Sequence, residues 1–135
     1  VINPASGHRR GSKNAGWCAL AGSDIPELVE KFHNLPVANV SDCMSRLTAG
    51  GVSLQRMHRT GYLAGPALTV KVPPGDNLML HHAIDIAQRG DVIVVDGGAV
   101  VTNALMGELM MRSAIAKGVA GFVINGAITG ALARS

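Results

Sequence analysis

GDVIVVDGGAVVTNALMGELMMRSAIAKGVAGFVIN, residues 90–125, decides the fold. Asp91 to Asp96 (DVIVVD) is a continuous β-branched run of the kind needed by a strand covered on both faces, so a central strand is expected here. Gly97 and Gly98 then turn the chain, a helix runs to about Lys117, and Gly118 closes it. Gly121 to Asn125 (GFVIN) repeats the buried-strand pattern. Strand, helix and strand joined by short glycine turns make a βαβ unit, right-handed by the usual chirality rule. The fold class that follows is α/β.

Upstream, Ala67 to Val72 alternates, with Leu68, Val70 and Val72 opposite Thr69 and Lys71, which predicts a strand with one exposed face. Pro73, Pro74 and Gly75 end it. Asn77 is the expected cap of a helix through Gln88 that buries Leu78, Met79, Ala83 and Ile86 and closes at Gly90. Further back, Ser23 or Asp24 is suited to cap a helix with Pro26 in its opening turn, Leu28, Val29, Phe32 and Leu35 on one face, and its end before Pro36. A second short helix is expected from Ser41 or Asp42, carrying Cys43, Met44 and Leu47 inward and stopping at Gly50 and Gly51. Residues 1–23 show neither period and read as a flexible or loosely docked arm in which Trp17 alone should pack somewhere; residues 24–135 form the domain.

Composition narrows the function classes. The chain has 135 residues, 47% apolar and 16% charged, with 17 glycines, so one compact domain with an aliphatic core is expected rather than disorder or a coiled coil. The net charge of +3 resides in Arg9, Arg10 and Lys13; from Asp24 onward the nine basic and nine acidic side chains balance, which leaves no phosphate-tracking stripe and disfavours nucleic acid. No apolar run approaches a membrane span or a signal peptide, and Cys18 and Cys43 are too few for a disulfide framework, so a cytoplasmic protein with reduced thiols is expected.

In a parallel βαβ unit, ligands collect beyond the carboxyl ends of the strands, where helix amino termini present unpaired amides. That places Asp96, Gly97, Gly98, the 99–107 connection, Asn125 and Gly126 around one crevice, with Gly107 to Met110 (GELM) at the start of the helix. Asp96 is open to three readings: a base, a metal ligand, or an Asx-type cap on the Gly97–Gly98 turn. Glu108 is favoured by the helix dipole without any catalytic role, and Gly107 equally suits close packing on the sheet. His81 and Asp85 share a helical face with His82 beside them, but spacing shows no third ligand, so a surface or subunit-contact role is expected; Cys43 reads as a core thiol. The phosphate-binding G-x-x-x-x-G-K-[ST], H-E-x-x-H and G-x-S-x-G patterns are absent, and VIVVDGGA lacks the later glycines of a nucleotide or methyl-donor fingerprint.

Taken together, VSDCMSRL (40–47), LAGPALTVKVPPGDNLMLHHAI (63–84), GDVIVVDGG (90–98), ALMGELM (104–110) and KGVAGFVINGAI (117–128) resemble the RraA-like family. That family includes the regulator of ribonuclease E activity and metal-dependent 4-hydroxy-4-methyl-2-oxoglutarate aldolases, long mislabelled as demethylmenaquinone methyltransferases. The resemblance implies an RraA-like swivelling α/β/α domain with a central, partly parallel sheet, incomplete at the carboxyl terminus, and assembly as a homotrimer or dimer of trimers. It also implies cleavage to pyruvate with oxaloacetate decarboxylation as a side activity, or, alternatively, a non-catalytic regulatory role.

By that resemblance, the Gly107, Glu108, Leu109 and Met110 segment holds the carboxylate of a small keto acid, and an Arg-Asp pair after the last strand supplies a substrate contact and a divalent ion, Mg or Mn. Where the family pattern reads Gly-Ala-Ile-Arg-Asp, this chain reads Gly126, Ala127, Ile128, Thr129, Gly130. Thr129 therefore occupies the position of the arginine and Gly130 that of the aspartate. A threonine cannot clamp a carboxylate bidentately and a glycine offers no side-chain ligand, so impaired cleavage is expected and no metal ligand is evident.

Overall fold

The computed structural model describes residues 25–45, 54–58 and 61–130. In chain order the elements are α1 (Ile25–His33), α2 (Val37–Cys43), β1 (Ala67–Lys71), α3 (Leu78–Ile86), β2 (Val92–Asp96), β3 (Ala104–Met106), α4 (Glu108–Lys117), β4 (Gly121–Asn125) and β5 (Ala127–Ile128). The β-branched run does become the central strand: β1, β2 and β4 form a parallel sheet in the order β1-β2-β4. A second, two-stranded parallel sheet, β3 with β5, lies in the stretch read from sequence as plain connection and turn. Strands of three and two residues are too short to show an alternation.

The register explains the core. Leu68 pairs with Ile93 and that with Phe122, and Val70 with Val95 and that with Ile124, so these six side chains share one face of the sheet. Against it pack Leu80, Ala83 and Ile84 of α3 and Ala114 of α4, with Leu105 and Met106 of β3 completing the cluster. On the other face Thr69 is exposed and Val94 and Val123 are only half-buried. Among the described residues, no strand pairs beyond β4, whose GFVIN sequence forms the outer edge of the sheet.

The face of α3 differs from the sequence expectation. Ala83 is buried and Met79 packs against the core as expected, but Leu78 is 68% exposed and Ile86 41%, and Leu80 and Ile84 are buried in their place. His81, His82 and Asp85 occupy the turns between them and turn the polar side outward, and the helix ends at Ile86 rather than Gln88. Its start also differs: Asn77 makes no side-chain cap, and Asp76 Oδ1 instead accepts the Leu78 N–H at 2.7 Å.

The carboxyl end of α3 is closed from outside by α4. Lys117 Nζ donates to the carbonyls of Ile84 at 3.1 Å and Asp85 at 3.2 Å, and to Asp85 Oδ1 at 2.9 Å. The hydrogen bond from Lys117, and then its charge, hold the Asp85 carboxyl below its ordinary value of 3.8. A carboxyl lowered on folding stabilises the fold above its unfolded value, and that contribution is lost as pH falls through the folded value. Lys117→Met should therefore flatten the acid limb: followed by circular dichroism between about pH 6 and pH 2, the thermal midpoint should fall less steeply below about pH 4 than in the wild type. Parallel curves would show that the lysine is not what lowers the carboxyl.

The amino-terminal helices are placed differently from their reading. Helix α1 includes Pro26 in its first turn, but no residue in it is buried; Leu28, Phe32 and Leu35 are each about half exposed. Helix α2 starts at Val37, directly after Pro36, so Ser41 and Asp42 lie inside it rather than at its cap, and Cys43 and Met44 are exposed rather than inward. Pro36 fixes the helix start one residue downstream of itself, which the cap-like Ser41 obscures. The arm 1–23 with Trp17 and Cys18, the cap candidates Ser23 and Asp24, and Leu47, Gly50 and Gly51 lie outside the described residues. Among the described residues no helix is long and apolar enough to cross a membrane.

Candidate functional site

The parallel register brings Lys71, Asp96 and Asn125 into one row at the carboxyl ends of the three strands. Asp96 Oδ1 accepts the Gly98 N–H at 3.1 Å and Asn125 Nδ2 at 3.3 Å, while Oδ2 faces Lys71 Nζ at 3.9 Å. Of its three sequence readings, the Asx-type cap is the one realised by these bonds. The carbonyl of Asn125 in turn accepts the N–H groups of Gly97 at 3.0 Å and Ala99 at 3.4 Å, tying the turn after β2 to the turn after β4.

Leu105 fills the angle between those turns. A Cβ on Gly97 would overlap Leu105 Cδ1 and sit 2.8 Å from the Asn125 carbonyl, and one on Gly126 would sit 2.6 Å from Leu105 Cδ1. Glycine at 97 is thus a steric requirement of close approach between backbone and core.

The amino end of α4 faces the turn after β4. Gly107, in extended backbone, precedes the helix without a side-chain cap and accepts the Met111 N–H through its carbonyl. The first-turn amides of Glu108, Leu109 and Met110 precede the first intrahelical donor and carry the positive end of the helix dipole. The Thr129 N–H donates to the Met106 carbonyl at 2.9 Å, extending the β3–β5 pairing, and Thr129 Oγ1 lies 3.6 Å from where a Cβ on Gly107 would stand. A Cβ on Gly130 would stand 3.3 Å from Glu108 Cβ and 3.6 Å from the Glu108 nitrogen. Gly130 has φ +62°, a left-handed backbone.

Gly107, Glu108, Thr129 and Gly130 are therefore brought together. The Leu109 side chain is not part of this arrangement: it is 84% exposed. Met110 is half-buried and turns toward the start of α3, its Sδ accepting Asn77 Nδ2 at 3.8 Å. Glu108 Oε1 accepts Arg112 Nε at 2.9 Å and Nη2 at 2.6 Å, an exposed pair one turn apart. Sequence reasoning missed Leu105 and the partner of the Asn125 side chain, which depend on β3 and on register and leave no local pattern, and Arg112, whose signal was the four-residue spacing from Glu108 on one helix.

The donor set does not fit a divalent ion. Hard cations such as Mg or Mn require several oxygen ligands. At the amino end of α4, Glu108 is the carboxylate present, and it is paired with Arg112; Asp96 is committed to Gly98 and Asn125. Among the described residues no group of three or more His, Cys, Asp or Glu side chains is arranged to hold an ion. Asp85, the candidate partner of His81, is bound by Lys117 instead.

Comparison with known proteins adds four findings. The family model described as RraA-like (Aldolase/RraA) matches residues 37–129. A protein of Halalkalibacterium halodurans named "Putative 4-hydroxy-4-methyl-2-oxoglutarate aldolase" is 35% identical over 102 residues, which is 76% of this chain and 49% of that relative, so the chain spans about half the relative's length. The structure of the RNA-processing inhibitor RraA from Thermus thermophilis superposes with a TM-score of 0.62 at 27% identity, over 70% of this chain and 57% of that one. A Geobacillus kaustophilus structure described as an S-adenosylmethionine:2-dimethylmenaquinone methyltransferase gives 0.62 at 28% identity, over 70% and 58%. One fold thus carries three differently described activities, and function must be argued from the site.

Proposed function

Since the chain belongs to the RraA-like family, we propose that it descends from the aldolase branch, holds a small 2-keto acid such as pyruvate at the amino end of α4, and is impaired in carbon–carbon cleavage. The observation that carries this reading is the approach of Thr129 and Gly130 to Gly107 and Glu108. The free amides of the first turn present the positive end of the dipole to the keto-acid carboxylate. In cleavage of 4-hydroxy-4-methyl-2-oxoglutarate, the C4 hydroxyl proton leaves and the C3–C4 bond breaks. The electron pair passes into the enolate of one pyruvate, which takes up a proton at C3 in place of the one released, and the other pyruvate departs as the ketone.

Stabilising that enolate is where this chain falls short. Thr129 offers one neutral hydroxyl in place of a guanidinium, and a charged hydrogen bond contributes about 1.5–3 kcal/mol against about 1 for a neutral one. Gly130 supplies no carboxylate, so we assign no step to a divalent ion, and the Mg or Mn dependence implied by the resemblance is lost with it. Oxaloacetate decarboxylation, which passes through the same enolate, is weakened in parallel. The reading carries with it a cytoplasmic homotrimer or dimer of trimers without nucleic-acid or membrane partners.

A second reading, a non-catalytic regulator, is favoured by the likeness to the RNA-processing inhibitor and by the same two replacements at 129 and 130. Calorimetric titration with pyruvate, beside a coupled assay for pyruvate released from 4-hydroxy-4-methyl-2-oxoglutarate, separates them. Pyruvate binding with feeble turnover is the expected result. Absence of pyruvate binding together with direct binding of ribonuclease E would replace the aldolase reading with the regulatory one.

A further inference from the structure

We propose that Asp96 and Asn125 are positioning residues: their cross-strand pair is a clasp that sets the 125–130 turn, and Thr129 with it, against the amino end of α4, so that keto-acid affinity depends on two side chains that never touch the ligand. The inference rests on the keto-acid reading above only for its second half.

The clasp has three strands of evidence. Asp96 Oδ1 receives two donors, one from its own turn (Gly98 N–H, 3.1 Å) and one from the neighbouring strand end (Asn125 Nδ2, 3.3 Å). The Asn125 carbonyl returns the link by accepting from Gly97 at 3.0 Å and Ala99 at 3.4 Å. Ala99 has φ +58°, a left-handed conformation that costs a non-glycine residue energy and persists only where its surroundings over-determine it. The N–H that Ala99 gives to Asn125 is one such constraint. At the far end of the turn, Thr129 is held by the Met106 carbonyl at 2.9 Å, directly before α4 begins. The segment is thus held at Asn125 by the clasp and, over β5 and Thr129, by pairing with β3, and loosening the clasp leaves that pairing alone to place Thr129.

Donor and acceptor can be exchanged, which gives a test that a merely space-filling role would not pass. Asn125→Asp sets two carboxylates face to face with no proton donor between them. The double variant Asp96→Asn with Asn125→Asp reverses the pair: Asn at 96 can still accept from Gly98 and now donates to the carboxylate at 125. Two readouts are followed on the full chain at neutral pH: amide hydrogen exchange at Gly98, Ala99 and Thr129 by NMR, and pyruvate affinity by calorimetry. Asn125→Asp should speed exchange at all three amides by about tenfold and weaken pyruvate by about tenfold, and the double variant should bring both back to near wild type. Acceleration at Gly98 and Ala99 without Thr129, or failure of the double variant to restore exchange, overturns the clasp. Wild-type chain that does not bind pyruvate overturns the keto-acid reading instead, and the exchange pattern still decides whether the two turns are coupled.

Discussion

Thr129→Arg combined with Gly130→Asp should raise metal-dependent release of pyruvate from 4-hydroxy-4-methyl-2-oxoglutarate on the order of 100-fold over the wild-type chain. The geometry leaves room for the first replacement and admits the second at the cost of some strain. Thr129 is exposed beside Gly107, so a longer side chain has room to reach the end of α4. A Cβ at 130 would stand 3.3 Å from Glu108 Cβ, a close but attainable contact, and would place a second carboxylate beside the first. The left-handed backbone at 130 costs an aspartate about 1 kcal/mol, less than it costs most residues. Each new group acts on the same developing enolate, so the double variant should exceed the product of the singles. A coupled pyruvate assay with magnesium or manganese, and with chelator as control, measures the gain. A double variant that folds, binds pyruvate and turns over no faster than wild type would sink the claim that positions 129 and 130 carry the impairment.

Leu105→Ala should cost about 2–5 kcal/mol of stability, read as a fall in the urea midpoint with unchanged slope. Leu105 is 1% exposed and its Cδ1 abuts both Gly97 and Gly126, so the turns on which the site rests close around it. Glycines at those positions have no side chains with which to fill the space left behind. The loss is a large share of the 5–15 kcal/mol that small domains have in hand. Leu105→Met, which keeps the volume, should cost less than about 1.5 kcal/mol. An alanine variant within about 1 kcal/mol of wild type would mean that the two turns do not depend on this plug.

Legibility from sequence followed the length of each pattern. β1, β2 and β4 were readable because alternation in ALTVK and β-branched runs in VIVVD and GFVIN extend over five residues each. α4 was bracketed by glycines at 107 and 118. The face of α3 is legible in part: Ala83 and Met79 face the core as expected, whereas Leu78 and Ile86 do not, and His81, His82 and Asp85 mark the solvent side that places Leu80 and Ile84 inside. The pairing of β3 with β5 was invisible, and with it the reason that Thr129 approaches Gly107. For the candidate site, the segments were legible but their mutual geometry was not. Nothing local in the sequence says that Asn125 lies across from Asp96, since cross-strand partners twenty-nine positions apart are set by register.

The rim of the sheet at β4 has a consequence in concentrated solution. Its five residues carry no lysine, no proline and no other charge, which are the devices proteins use to discourage strangers from hydrogen-bonding alongside. Half-buried Phe122, Val123 and Ile124 add an oily flank to an unblunted ladder of amides and carbonyls. Among the described residues, that ladder at the third parallel strand is open to backbone hydrogen bonds from an extended peptide, with no charge or proline of its own to turn one away.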